Sequence, residues 1–122
     1  MTTAPSAYRS MTFGGALRAA AGRNAAKVAM ICGSESRTFG ELAQRSANLR
    51  DAAITALDVR PGDNVALVAR NCLEFIEVVA GLPDAGAGVA TINPRLTPRE
   101  IAETIADCGA RVVFADPGSA VA

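Results

Sequence analysis

"VRPGDNVALVARNCLEF", residues 59–75, decides the fold. Pro61 and Gly62 are turn residues: Pro presets one φ and Gly accepts a positive one. Val65, Ala66, Leu67, Val68 and Ala69 follow without polar alternation. A short run apolar on both faces, between turn signals, is expected of a central parallel strand with helices on both sides. The period then changes. Asn71 is a strong N-cap residue, and Glu74 stands three positions on. Leu73, Phe75, Ile76, Val78, Val79 and Leu82 cover most of a helix circumference, which predicts deep packing. Pro83 ends or kinks that helix. Phosphate sites are common where a strand runs into a helix, so Arg70 and Asn71 raise a functional question at once.

Toward the C-terminus, "AGAGVATINP" places a strand over residues 88–92, with Gly86 and Gly88 read as a helix end and a close backbone approach. Thr97 is the N-cap of the next helix, Pro98 its first residue, and Glu100 completes a capping box. Leu96 and Ile101 occupy hydrophobic-staple positions. Ile101, Ile105 and Cys108 form the inner stripe, and Gly109 stops the helix. Residues 112–115 read as another buried strand, and "DPG" as a turn.

Toward the N-terminus, "KVAMICGSESRTF" reads as a hairpin: strand 28–32, a "GSES" turn, and a return starting at 37–39. Thr38 and Glu41 make a first capping box. Glu41 also precedes Arg45 by one turn, a favourable pair worth about 0.3 kcal/mol. Leu42, Ser46, Leu49, Ala53 and Leu57 keep helical spacing. Residues 12–21 suit a short helix. Arg9, Arg18, Arg23 and Lys27 all precede the first acid, Glu35, a pattern that mitochondrial transit peptides share with ordinary basic helices. The helix is the reading adopted.

The order is hairpin, helix, strand, helix, strand, helix, strand. Such alternation implies an α/β architecture: a partial layered parallel sheet with flanking helices, right-handed crossovers and an N-terminal hairpin. Two parts are expected, an N-terminal segment over residues 1–24 and an incomplete α/β scaffold over residues 25–122.

The totals narrow the chemistry. The 122 residues are half hydrophobic and 20% charged, with a formal net charge of zero. This suits a folded domain and gives no global pull toward nucleic acid or an anionic membrane. There is no His, which excludes a His base, a Ser–His pair and His metal ligation within these residues. Cys32, Cys72 and Cys108 are too widely spaced for a zinc motif, and their odd number argues against a disulfide framework. They read as small thiols in a reducing compartment. No apolar run approaches the roughly 20 residues of a membrane helix.

Ligands on open α/β sheets bind beyond the carboxyl ends of the strands. After Ala69 comes Arg70 with no glycine to let backbone amides approach a phosphate. After Ile92, Asn93, Arg95 and Arg99 gather near a helix start, the best anion candidate in the chain. After Ala115, Asp116 reads as a turn former. Glu74 and Glu77 lie one turn apart without a locatable cleft. No catalytic, cofactor-binding or metal residue is assigned.

In series, "TFGEL", "RPGDNVALVARN", "GLPDAGAGVATINPRLTPREI" and "DCGARVVFAD" resemble the adenylate-forming (AMP-binding) superfamily, and within it the acyl-CoA synthetases, or fatty-acid–CoA ligases. The resemblance spans about residues 25–116. It implies the start of the large N-terminal domain of a much longer ligase. That ligase activates a carboxylic acid with ATP and Mg2+ and passes the acyl group to coenzyme A, in the cytoplasm. The family's Ser/Thr/Gly-rich phosphate loop ending in Lys, its nucleotide-binding set and its C-terminal Lys have no match here. "GSES" lacks that Lys. The resemblance therefore implies no cofactor held by these residues and no activity from them alone. It implies partners: the remainder of the enzyme, a partner chain covering an exposed sheet face, or a homo-oligomer. The competing reading is a free-standing, non-catalytic α/β binding module derived from the same family.

Overall fold

A computed structural model describes residues 12–119. Helix α1 spans Phe13–Asn24, and the hairpin strands β1 and β2 span Val28–Cys32 and Glu35–Thr38. Helix α2 follows at Phe39–Ala56, strand β3 at Asn64–Val68 and helix α3 at Leu73–Gly81. Strand β4 is Gly88–Ile92, helix α4 Pro98–Cys108 and strand β5 Val112–Ala115. Single 3₁₀ turns cover Leu82–Ala85 and Pro117–Ser119. Arg9 lies outside the described residues.

The three-stranded sheet is parallel, in the order β4-β3-β5. The opening stretch supplies its centre, and Val65, Ala66, Leu67 and Val68 are all buried. Alternate side chains of β3 face two different layers. Val65 and Leu67 join Ala53, Val59, Val78 and Leu82 on the side of α2 and α3. Ala66 and Val68 join Ile92 and Ile101 on the side of α4. A third cluster, Leu17, Leu42 and Ala80, ties α1 to α2 and α3, with Met30 and Phe39 packed against it. The hairpin is a separate two-stranded sheet.

The helix ends follow local chemistry. Thr38 and Thr97 each complete a capping box, with Glu41 and Glu100. Gly109 closes α4 with φ 68°, in the left-handed region that glycine enters without a Cβ penalty. Thr12 caps α1 by accepting from the amide of Gly15 at 3.0 Å.

Five expectations need correction. The cap of α3 is Cys72, not Asn71, and it makes no side-chain cap bond. The Arg70 amide is held by the Asp116 carboxylate at 2.7 Å, so the chain stays extended for longer before the helix begins. Glu41 is engaged by its own cap, at 3.0 Å from the Thr38 amide. Arg45 accordingly does not pair with it and reaches Glu77 on α3 instead. Residues 112–115 are not a buried strand: β5 pairs only with β3 and leaves Val113 42% exposed, because α4 lies over β3 and β4. The hairpin turn is only Gly33–Ser34, since Glu35 and Ser36 already pair with Cys32 and Ile31. Phe75, Ile76 and Val79 are half-buried, so α3 is less enclosed than its apolar sequence suggests.

Candidate functional site

The carboxyl ends of β3, β4 and β5 lie side by side, and the polar groups there bind one another. Asp116 Oδ2 accepts from the Arg70 amide at 2.7 Å, and Oδ1 accepts from the Ser119 amide at 2.5 Å. The Asp116 amide in turn donates to the Val68 carbonyl at 3.3 Å. Asp116 therefore fastens the exit of β5 to the exit of β3. These amide donors, first that of Arg70, hold its carboxyl below the usual range.

At the exit of β4, Asn93 Oδ1 accepts from the Arg95 amide at 2.9 Å, a side-chain-closed turn. The start of α4 is filled by its own carboxylate: Glu100 accepts from the Thr97 amide at 2.8 Å and the Thr97 hydroxyl at 3.0 Å. Arg99 pairs with Glu103 at 2.9 Å along the helix surface. Asn93 thus meets only the backbone of Arg95, Arg99 is turned to Glu103, and an anion at the start of α4 would compete with a resident carboxylate.

Glu74 and Glu77 are parted by burial. Glu74 is exposed. Glu77 is 5% exposed and lies between Arg45, which hydrogen-bonds it, and Arg37 Nε at 3.9 Å. Asp84 is a second buried acid, engaged by Arg18 and by the Thr12 hydroxyl at 2.7 Å. Both acids anchor elements far apart in sequence: the hairpin and α2 to α3, and α1 to the turn after α3. Sequence spacing could not reveal them, because the partners lie 32 or more positions away.

A shallow, mostly apolar groove of about 170 Å³ separates β1 from the start of α3. Met30, Ile31, Cys32, Asn71, Cys72, Phe75 and Ile76 line it. Cys32 Sγ donates to the Asn71 carbonyl at 3.7 Å. Burial pushes the Cys72 thiol up, and its bond with the Phe75 backbone opposes this more weakly. Among the described residues no cluster of three or more His, Cys, Asp or Glu side chains could hold a metal ion, and no helix is long and apolar enough to cross a membrane.

The acid-side behaviour of this fastening is testable. Amide donors lower the carboxyls of Asp116, Asp63 and Glu41 in the folded chain. A depressed folded value contributes stability above the unfolded carboxylate range, and that stability is lost as pH falls through the folded value. The urea midpoint should be flat from pH 7 to 5 and fall below about pH 4. Asp116→Asn should lower the midpoint at pH 7 and flatten the fall. An unchanged pH profile in Asp116→Asn would count against the fastening.

Comparison with known proteins fits this picture of a scaffold. The family model described as "AMP-binding enzyme" matches residues 17–122. The 2-succinylbenzoate–CoA ligase of Geobacillus kaustophilus is 36% identical over 90 residues, which are 74% of this chain and 18% of that protein. The long-chain-fatty-acid–CoA ligase of Salmonella typhimurium is 34% identical over 95 residues, 78% of this chain and 17% of that one. The structure of a Mycobacterium tuberculosis fatty acyl CoA synthetase superposes with a TM-score of 0.83 at 30% identity, over 92% of this chain and 22% of its own. The chain thus spans less than a fifth of the length of these two curated relatives. A parallel α/β scaffold of this topology, matched by the family model from α1 onward, makes the chain a member of the AMP-binding enzyme family.

Proposed function

We propose that the chain is the N-terminal scaffold segment of an acyl-CoA synthetase-like ligase acting in the cytoplasm, in fatty-acid or related carboxylate metabolism. The intact ligase would form an acyl-adenylate from a carboxylic acid and ATP with Mg2+, then transfer the acyl group to coenzyme A. ATP, Mg2+ and coenzyme A would be held by the remainder of the enzyme. The residues of this chain would hold none of them and would be silent alone. The observation that carries the reading is the family match over residues 17–122, joined to the small share of each relative that the chain spans. The internal engagement of Asn93, Glu100 and Asp116 supports a structural role for the strand exits. The partner would be the rest of the ligase, or a second chain, packed beside β5, where Val113 is exposed.

Two measurements test this. The chain alone should give no acid-dependent ATP–pyrophosphate exchange, and exchange clearly above a protein-free blank would overturn its silence. A chimera with this chain in place of the matching segment of the Salmonella typhimurium ligase should fold and form acyl-CoA within about tenfold of the parent rate, a rise in barrier of about 1.4 kcal/mol at most. A chimera that folds but makes no acyl-CoA would refute the scaffold reading.

A further inference from the structure

We propose that Cys32 and Cys72 are a redox pair, and that a small disulfide such as oxidised glutathione converts them into an intramolecular disulfide that staples the hairpin to the start of α3. Both residues line one groove. Cys32 Sγ contacts the Asn71 carbonyl at 3.7 Å, and that oxygen belongs to the peptide unit joining Asn71 to Cys72. Cys32 and Cys72 therefore border the same gap between β1 and α3, although 39 positions separate Cys32 from Asn71. Both are free and neither is fully buried, so a small oxidant can reach them.

Both cysteines sit at the ends of their elements. Cys32 is the last residue of β1, beside the Gly33–Ser34 turn, and the hairpin is not hydrogen-bonded into the parallel sheet. Cys72 is the cap of α3, and turning its thiol toward Cys32 releases its interaction with the Phe75 backbone. Closing the bond requires Cα atoms within about 7 Å. Cys108 is elsewhere: it lies on α4, with its thiol donating to the Ile105 carbonyl at 3.3 Å.

The chemistry balances. The Cys32 thiolate attacks one sulfur of oxidised glutathione, forming a mixed disulfide and releasing one glutathione thiolate. Cys72 loses its proton to solvent, and its thiolate attacks Cys32 Sγ and expels the second glutathione. The two cysteines lose two protons and two electrons, and one oxidised glutathione becomes two reduced molecules. Burial of Cys72 makes the second step the slow one.

The test is oxidation of the full chain with oxidised glutathione at low protein concentration, followed by tryptic digestion and mass spectrometry. The peptides of residues 28–37 and 71–95 should appear joined, at about tenfold above any joined species that contains Cys108, and dithiothreitol should separate them. The same preference should vanish in strong urea, where pairing follows loop length alone. Cys108→Ser should keep the linkage, and Cys32→Ser should abolish it. Glutathione retained on Cys32 or Cys72 without a 28–37 to 71–95 linkage would overturn the proposal. So would a linkage equally abundant in urea.

Discussion

Gly81→Ala is expected to lower stability by about 1–3 kcal/mol, the range for forcing extra atoms into a close-packed site. Helix propensity alone predicts the opposite sign. Gly81 is the last residue of α3, and alanine in a helix is favoured over glycine by up to about 1 kcal/mol. The contact reverses that preference. A Cβ on Gly81 would lie 2.5 Å from the Ser46 carbonyl oxygen, 3.4 Å from its carbon and 3.6 Å from the Arg50 amide. All three atoms are backbone of α2, so no side chain can swing aside. The two helices would have to separate, and Ala53, Val78 and Leu82 in the adjoining cluster would lose contact. Gly22→Ala is the matched control. Gly22 is also helical, and a Cβ there meets nothing within 4 Å. That variant should be stabilised by about 0.5–1 kcal/mol. Urea midpoints of the two variants should therefore move in opposite directions. A stabilised Gly81→Ala would mean that the helix crossing is looser than described.

What the sequence disclosed divides by range. Thr38 with Glu41 and Thr97 with Glu100 were legible because a capping box is closed within three residues, and backbone geometry leaves little else for those side chains to meet. The central strand was legible because five successive apolar residues have no solvent face to offer. Gly86 and Gly88 were legible as a helix end and a close approach, although what they approach was not. A Cβ on Gly86 would lie 2.9 Å from Pro61 Cα, and one on Gly88 2.6 Å from Asn64 Oδ1.

Long-range polar pairing was not legible. Glu41 and Arg45 satisfy a favourable helical spacing, but such an exposed pair gains only a few tenths of a kcal/mol. A buried carboxylate left without a donor costs several times more. Arg45 is therefore drawn to Glu77, and nothing in the spacing of α2 signals that α3 will present an acid there. The same holds for Asp116. Its position before Pro117 suggested a local turn, and Ser119 confirms one, but Oδ2 serves Arg70 from a different strand exit. The strand exits thus looked vacant in sequence and are occupied in the fold.

Glu77→Leu should be the most damaging change to a polar residue, costing about 2–4 kcal/mol, near the range for breaking a buried ion pair by removing one partner. Glu77 is 5% exposed and holds both Arg45 and Arg37. The two arginines differ in what happens next. The Arg45 side chain is 46% exposed and can turn into water. The Arg37 side chain is 19% exposed, and its Nε is buried with no hydrogen-bond partner. Without Glu77 that buried nitrogen loses its ion-pair partner, and the exposed Glu41 acts on its charge only at longer range. The loss should therefore appear mainly through Arg37. In a double-mutant cycle, Arg37→Met in the Glu77→Leu background should recover at least about 1 kcal/mol, because apolar replacement of both partners removes the stranded charge. Arg45→Met alone should cost less than Glu77→Leu, since Arg37 stays beside the carboxylate. Stability is to be read from urea midpoints at constant slope, so that a change in the unfolded ensemble is not mistaken for a lost contact. A Glu77→Leu variant within 0.5 kcal/mol of the parent, about the spread of ordinary surface substitutions, would remove the buried acid as the tie between hairpin, α2 and α3. The hairpin would then be held by the Cys32 thiol on the Asn71 carbonyl and by the apolar contacts of Ala29 and Met30 with Leu17, Leu42 and Ala80.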